Sequence, residues 1–111
     1  MKSIELKIVK ETQEGQDQYV STYAILRAVI NNPTEGGINV EEMLVRLKLL
    51  DKLDKFKELF ETTAPVEELL QKTATLELED SEFNKLRDLY KNMKFLVVSK
   101  FLVEISEQLD K

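Results

Sequence analysis

The stretch Ile38–Phe60, INVEEMLVRLKLLDKLDKFKELF, is the longest run of helix formers in the chain, and from Asn39 onward neither Gly nor Pro interrupts it. Asn39 is placed to N-cap a helix, with Glu42 at the third position of a capping box and Ile38 and Met43 spaced for a hydrophobic staple. Unbroken, the helix spans roughly 30 Å, the width of a small domain. Advancing about 100° per residue puts Val40, Met43, Leu44, Leu47 and Leu50 on one face. The same count puts Leu49, Leu53, Phe56 and Phe60 on nearly the opposite face. The apolar stripe therefore changes sides around Leu49 and Leu50. Two architectures satisfy this. A turn near Asp51 to Asp54 lets both halves face one core, although no usual cause of a sharp kink is present. A straight helix instead needs cover on opposite sides at its two ends, and a second copy can supply one of those covers.

The length of 111 residues fits a single domain that buries roughly 65% of its unfolded surface. With 42% apolar and 33% charged residues, the chain has the composition of a folded globular protein. Only 3 Gly and 2 Pro are available for loops, which points to a mostly helical chain. No stretch approaches the roughly 20 apolar residues that span a bilayer, so no membrane partner is expected. The opening residues Met1 to Glu5 lack the apolar core of a signal peptide, and the cytoplasm is the expected compartment.

The sequence contains neither Cys nor His. Without them a disulfide, a thiolate nucleophile, the usual zinc ligands and the commonest general base are all excluded. A non-enzymatic protein without a cofactor is the expectation. Net charge is −5, from 21 acidic and 16 basic residues, whereas a nucleic-acid binder needs a basic surplus along its phosphate track. The densest basic run, Lys48, Lys52, Lys55 and Lys57, is interleaved with Asp51, Asp54 and Glu58. Asp51 with Lys55, and Glu42 with Arg46, are i,i+4 pairs in the favoured order, so a solvated, self-neutralising face is expected there.

Along the chain, Ser3–Lys10 alternates with Ile4, Leu6 and Ile8 on one side, the pattern of a half-buried strand. Glu11–Gln18 reads as an exposed loop, and Tyr19–Asn31 as an apolar helix capped by Ser21 or Thr22 and ended before Pro33. Glu61–Ala64 closes the long helix, and Pro65 opens a short helix through Lys72. Thr75–Glu79 alternates again and is expected to pair antiparallel with the first strand, with Lys7 facing Glu77 or Glu79. Asp80–Ser81 caps a helix with Phe83, Leu86, Tyr90 and Met93 on one stripe. Phe95–Val98 fits either a third strand or a tight connection. Ser99 caps a last helix that turns Leu102, Ile105 and Leu109 inward. The fold class read from this order is α+β, predominantly helical with about five helices, and a small antiparallel sheet of two or three strands.

Three candidate sites stand out. Glu77, Glu79 and Asp80 cluster carboxylates as a hard-cation site does, but an outward strand face followed by an N-cap accounts for all three. Tyr19, Tyr23 and Tyr90 sit at helical spacing among aliphatic residues, as core edges with a wet hydroxyl do. The remaining candidate is a protein interface formed by Leu49, Leu53, Phe56, Leu59 and Phe60, which make an apolar patch if that end of the helix projects from the body. Self-association is the partner reading that this patch supports.

Tyr23–Leu53, an apolar helix followed by a Gly-containing turn and INVEEMLVRLKLLDKL, resembles the opening of a winged helix-turn-helix, with TLELE in the place of a wing strand. No short turn and basic recognition helix follow, which weighs against DNA reading. The order INVEEMLVRLKLLDKL, TLELEDSEFNKLRDLYKNMKF and a capped terminal helix resembles small proteins encoded by tailed bacteriophages and prophages. That resemblance implies a role in virion assembly or in handling host factors.

Overall fold

The computed structural model describes residues 2–13, 15–32, 36–60, 65–95 and 99–110. The alternation of Ile4, Leu6 and Ile8 builds a strand that runs further than the apolar pattern does. β1 spans Lys2–Gln13, and β2 (Gln16–Ser21) folds back on it beside Gly15, whose φ of 78° suits glycine. The polar segment Glu11–Gln18, expected as a loop, is thus mostly the outer half of a hairpin. Residues 11–12 and 15–18 are exposed or half-exposed, so no in–out alternation betrays it; the backbone ladder holds it, with Thr12 Oγ1 donating to Asp17 at 2.8 Å. Tyr19 to Ser21 are consequently strand, and α1 (Thr22–Asn31) starts three residues later than expected, with Ser21 accepting from the Ala24 amide.

β3 (Thr73–Leu78) pairs antiparallel with β1, giving the order β2-β1-β3. Each half of β1 has its own partner: Lys2–Lys7 face β3, and Ile8–Gln13 face β2. At the changeover the buried Thr22 hydroxyl accepts from the Lys7 amide and donates to the Lys7 carbonyl, each at 3.2 Å. The register differs from the expected one. Lys7 lies opposite Thr73, and Glu77 lies opposite Ser3. The Lys7 ammonium reaches Glu5 and Glu104 instead, at 3.6 and 3.9 Å.

The inward face of the sheet meets the helices in one core, where Ile4, Leu6, Leu76 and Leu78 join Tyr23, Leu26, Phe83, Leu86, Ile105 and Leu109. The arrangement is α+β and predominantly helical. α2 (Val40–Leu53) passes through a 3₁₀ turn at Asp54–Phe56 into the one-turn α3 (Lys57–Phe60). After Pro65 comes the one-turn α4 (Val66–Leu69). α5 (Asp80–Asn92) begins with the Glu82 carboxylate accepting from the Glu79 amide at 2.9 Å, so its cap lies one residue before the expected Asp80–Ser81. α6 (Lys100–Leu109) is capped by Ser99, as its sequence suggests. Glu61–Ala64 and Leu96–Val98, on which a helix end and a possible strand were expected, lie outside the described residues.

The turn expected near Asp51 to Asp54 does not gather both stripes of the long helix. The 3₁₀ turn tightens the winding and leaves the two faces where the period put them. Leu49, Leu53 and Phe60 are buried in the core, while Val40, Met43, Leu44 and Leu47 are exposed. This orientation predicts unequal costs for one chemical change. Leu53→Ala should lower the unfolding free energy by about 2–5 kcal/mol, and Leu47→Ala by less than about 0.5 kcal/mol in dilute solution. Equal losses in denaturant titrations would contradict this orientation of α2.

Candidate functional site

α2 is held at a defined rotation by polar contacts on both sides of its buried edge. The Asn39 side chain caps its first turn, accepting from the Glu42 amide at 2.8 Å. Arg46, expected as half of a solvated pair, is 4% exposed. Its guanidinium donates to the Ile30 and Asn32 carbonyls, which the end of α1 leaves without helical partners, and to Glu42. Glu42 also receives Lys85 of α5 at 2.6 Å, and Lys52 meets Glu82 of the same helix. At the far end, the Asp54 carboxylate accepts from Tyr23 at 2.8 Å and pairs with Arg27. Tyr23 in turn stacks on Phe60, with ring centroids 6.3 Å apart.

These contacts decide which apolar face remains outside. The candidate interface residues Leu49, Leu53 and Phe60 are buried in this chain's own core, with Phe56 and Leu59 half-buried against it. Leu49, Leu53 and Phe60 are thus covered by this chain's own core, on the side where Glu42, Lys52 and Asp54 contact α1 and α5. The exposed apolar surface lies on the other stripe. Val40 is 69% exposed, Leu44 56%, Leu47 54% and Met43 47%. Glu41 and Lys48 flank this stripe and are themselves exposed. An apolar strip about two turns long, edged by charge, can receive the apolar face of another helix. The sequence marks both stripes equally; only the placement of α1 and α5 distinguishes them.

The other candidates take structural places. Glu77 is exposed on β3 and Glu79 and Asp80 at the start of α5, and among the described residues no group of three acidic side chains is arranged to hold a metal ion. Tyr19 is half-exposed on β2. Tyr90 is buried, and its hydroxyl donates to the Leu102 carbonyl at 2.6 Å. A cleft of about 430 Å³ runs between β2, α1 and the start of α6, lined by Tyr19, Val20, Ile25, Phe95 and Leu102. Among the described residues no helix is long and apolar enough to cross a membrane. No protein-family model matches the chain, and neither a curated protein nor a solved structure matches it.

The ion pairs around α2 shift their carboxyls. The hydrogen bond from Lys85 holds Glu42 below its ordinary value of 4.5, and the one from Arg27 holds Asp54 below 3.8. Burial pushes Glu82 upward, but its bonds from Lys52 and the Glu79 amide outweigh that and leave it lowered. Each depressed carboxyl stabilises the fold above its ordinary pKa, and that contribution disappears as pH falls through the folded value. With no His to titrate, stability should be flat from about pH 6 to 9 and should decline below about pH 4.5. Burial pushes the Tyr90 phenol up to about 12, so stability should also decline above about pH 10, where only the unfolded chain ionises this group. Denaturant titrations across pH read all three regions, and a step between pH 6 and 8 would contradict this account. Arg46→Met, which keeps the stem but removes the donors, should cost about 1–3 kcal/mol in the same measurement.

Proposed function

We propose that this protein is a non-enzymatic assembly or adaptor protein whose working surface is the outward face of α2. The observation that supports the reading is the row Val40, Met43, Leu44 and Leu47, each about half exposed or more, on a helix locked to the body along its opposite edge. Solitary apolar residues on a surface are ordinary, but four adjacent ones on one rigid helix form a contiguous patch of the kind that marks interaction sites. Fixing the helix in advance lowers the ordering cost of binding. The absence of His and Cys leaves carboxylates, lysines and hydroxyls as the available reactive groups, and Glu42, Asp54 and Glu82 are engaged in ion pairs that hold α2 to the body. The resemblance to small proteins of tailed bacteriophages would imply a use of such a surface in virion assembly or in handling host factors.

The winged-helix reading draws less support. TLELE lies within and beside β3, which pairs with the first strand of the chain, and the segment after α2 continues as helix through Phe60 without forming a turn and a basic recognition helix.

The reading is tested by native size-exclusion of a cell extract that produces the protein. The wild-type chain should elute in a species larger than its 12.9 kDa, and Leu44→Glu/Leu47→Glu should elute at the monomer position with unchanged helicity. A wild-type chain that elutes as the monomer at every loading would overturn the proposal.

A further inference from the structure

We infer that the outward face of α2 is covered by the same face of a second copy, the two helices running antiparallel about a two-fold axis. The inference rests on the interaction reading above and adds the occupant and the register. Val40, Leu44 and Leu47 follow a four-then-three spacing, which is the seam of a helix pair. Beside that seam, Glu41 and Lys48 are seven residues apart and share one flank. Met43, which is exposed, and Leu50, which is half-buried against this chain's own core, are also seven apart and share the other.

The symmetry operation decides what these flanks meet. A two-fold axis perpendicular to antiparallel helices sets each flank against its own copy, with the order of residues reversed. Leu44 then packs on the partner's Leu47, Glu41 faces the partner's Lys48, and Met43 faces the partner's Leu50, each contact occurring twice. Parallel helices would instead set the Glu41 and Lys48 flank against the Met43 and Leu50 flank, opposing charge with apolar surface. The acidic-then-basic order on one flank is therefore complementary to its own reverse. Antiparallel helix dipoles also attract.

Glu41 and Lys48 are exposed and, among the described residues, neither forms an ion pair within 4 Å, whereas Glu42 and Lys52 on the core side are engaged with α5. Asp51 continues the seam and meets the partner's Val40 at the rim, where water still reaches it. The apolar strip is confined to α2, which is 14 residues or about 21 Å long. One helix face of that length covers less than the roughly 800 Å² per partner of a standard stable complex, so the dimer should dissociate on dilution.

Sedimentation equilibrium of the purified full chain over a wide concentration range tests the inference. The mass should rise reversibly from 12.9 kDa to twice that value, and Leu44→Glu/Leu47→Glu should remain monomeric with an unchanged circular dichroism spectrum. Glu41→Lys and Lys48→Glu should each weaken the dimer about tenfold by opposing like charges twice, and the double exchange should restore it. A dimer that survives Leu44→Glu/Leu47→Glu, or one that the double exchange fails to restore, overturns the arrangement. A purified chain that stays monomeric throughout, while the extract still holds it in a larger species, overturns self-pairing and leaves the adaptor reading standing. A monomer in both settings overturns both.

Discussion

The rotation of α2 about its own axis is the constraint on which the rest of this structure depends. A helix that is apolar on two opposite faces can bury either, and burying one commits the other to solvent. Packing of Leu49 and Leu53 into the core selects the face, but apolar contact alone is non-directional. Direction comes from the polar groups along the buried edge. Arg46 satisfies carbonyls at the end of α1, Glu42 and Lys52 engage α5, and Asp54 gathers Tyr23 and Arg27. Turning α2 toward its other stripe would part the buried Arg46 guanidinium from two carbonyls and break three partly exposed ion pairs, the first being the larger loss. Such losses are steep because a buried polar group without its partner keeps the full cost of desolvation.

The same arrangement sets the character of the surface. The small sheet covers the core from one side, and β1 serves two partners in succession, so that the start of β3 and the end of β2 meet near its middle. Thr22 makes that changeover possible by continuing the ladder with a side chain where β2 has already become helix. With β1 central and α1, α5 and α6 completing the core, no described element is left to lie over Val40, Met43, Leu44 and Leu47. The exposed stripe is thus a consequence of a small core closing on one side of a two-sided helix. The proposed interaction role would account for why the uncovered side remains apolar.

Much of this architecture was legible in the residues. The caps at Asn39 and Ser99 declared their helices, the alternation of Ile4, Leu6 and Ile8 declared a strand, and Phe83, Leu86 and Tyr90 declared the inward side of α5. These signals are local, because a cap or a periodic face is specified by neighbours within one or two turns. The hairpin over Lys10–Gln18 was not legible. Its described residues are polar and exposed or half-exposed, and a strand without a buried apolar face carries no alternation to read. Arg46 also deceived, since an i,i+4 partner such as Glu42 describes a solvated face and a buried one equally well.

The candidate interface shows where local information ends. The sequence by itself determined that the helix after Asn39 carries two apolar stripes, that they change sides near Leu49 and Leu50, and that only one of them can share a core with a straight helix. Which stripe went inward was decided by the tertiary structure alone. That choice rests on contacts to Ile30, Asn32, Glu82 and Lys85, which are far away along the chain or in another helix. Helical periodicity is blind to them, because it records how side chains are distributed around an axis and carries no information about what stands on either side.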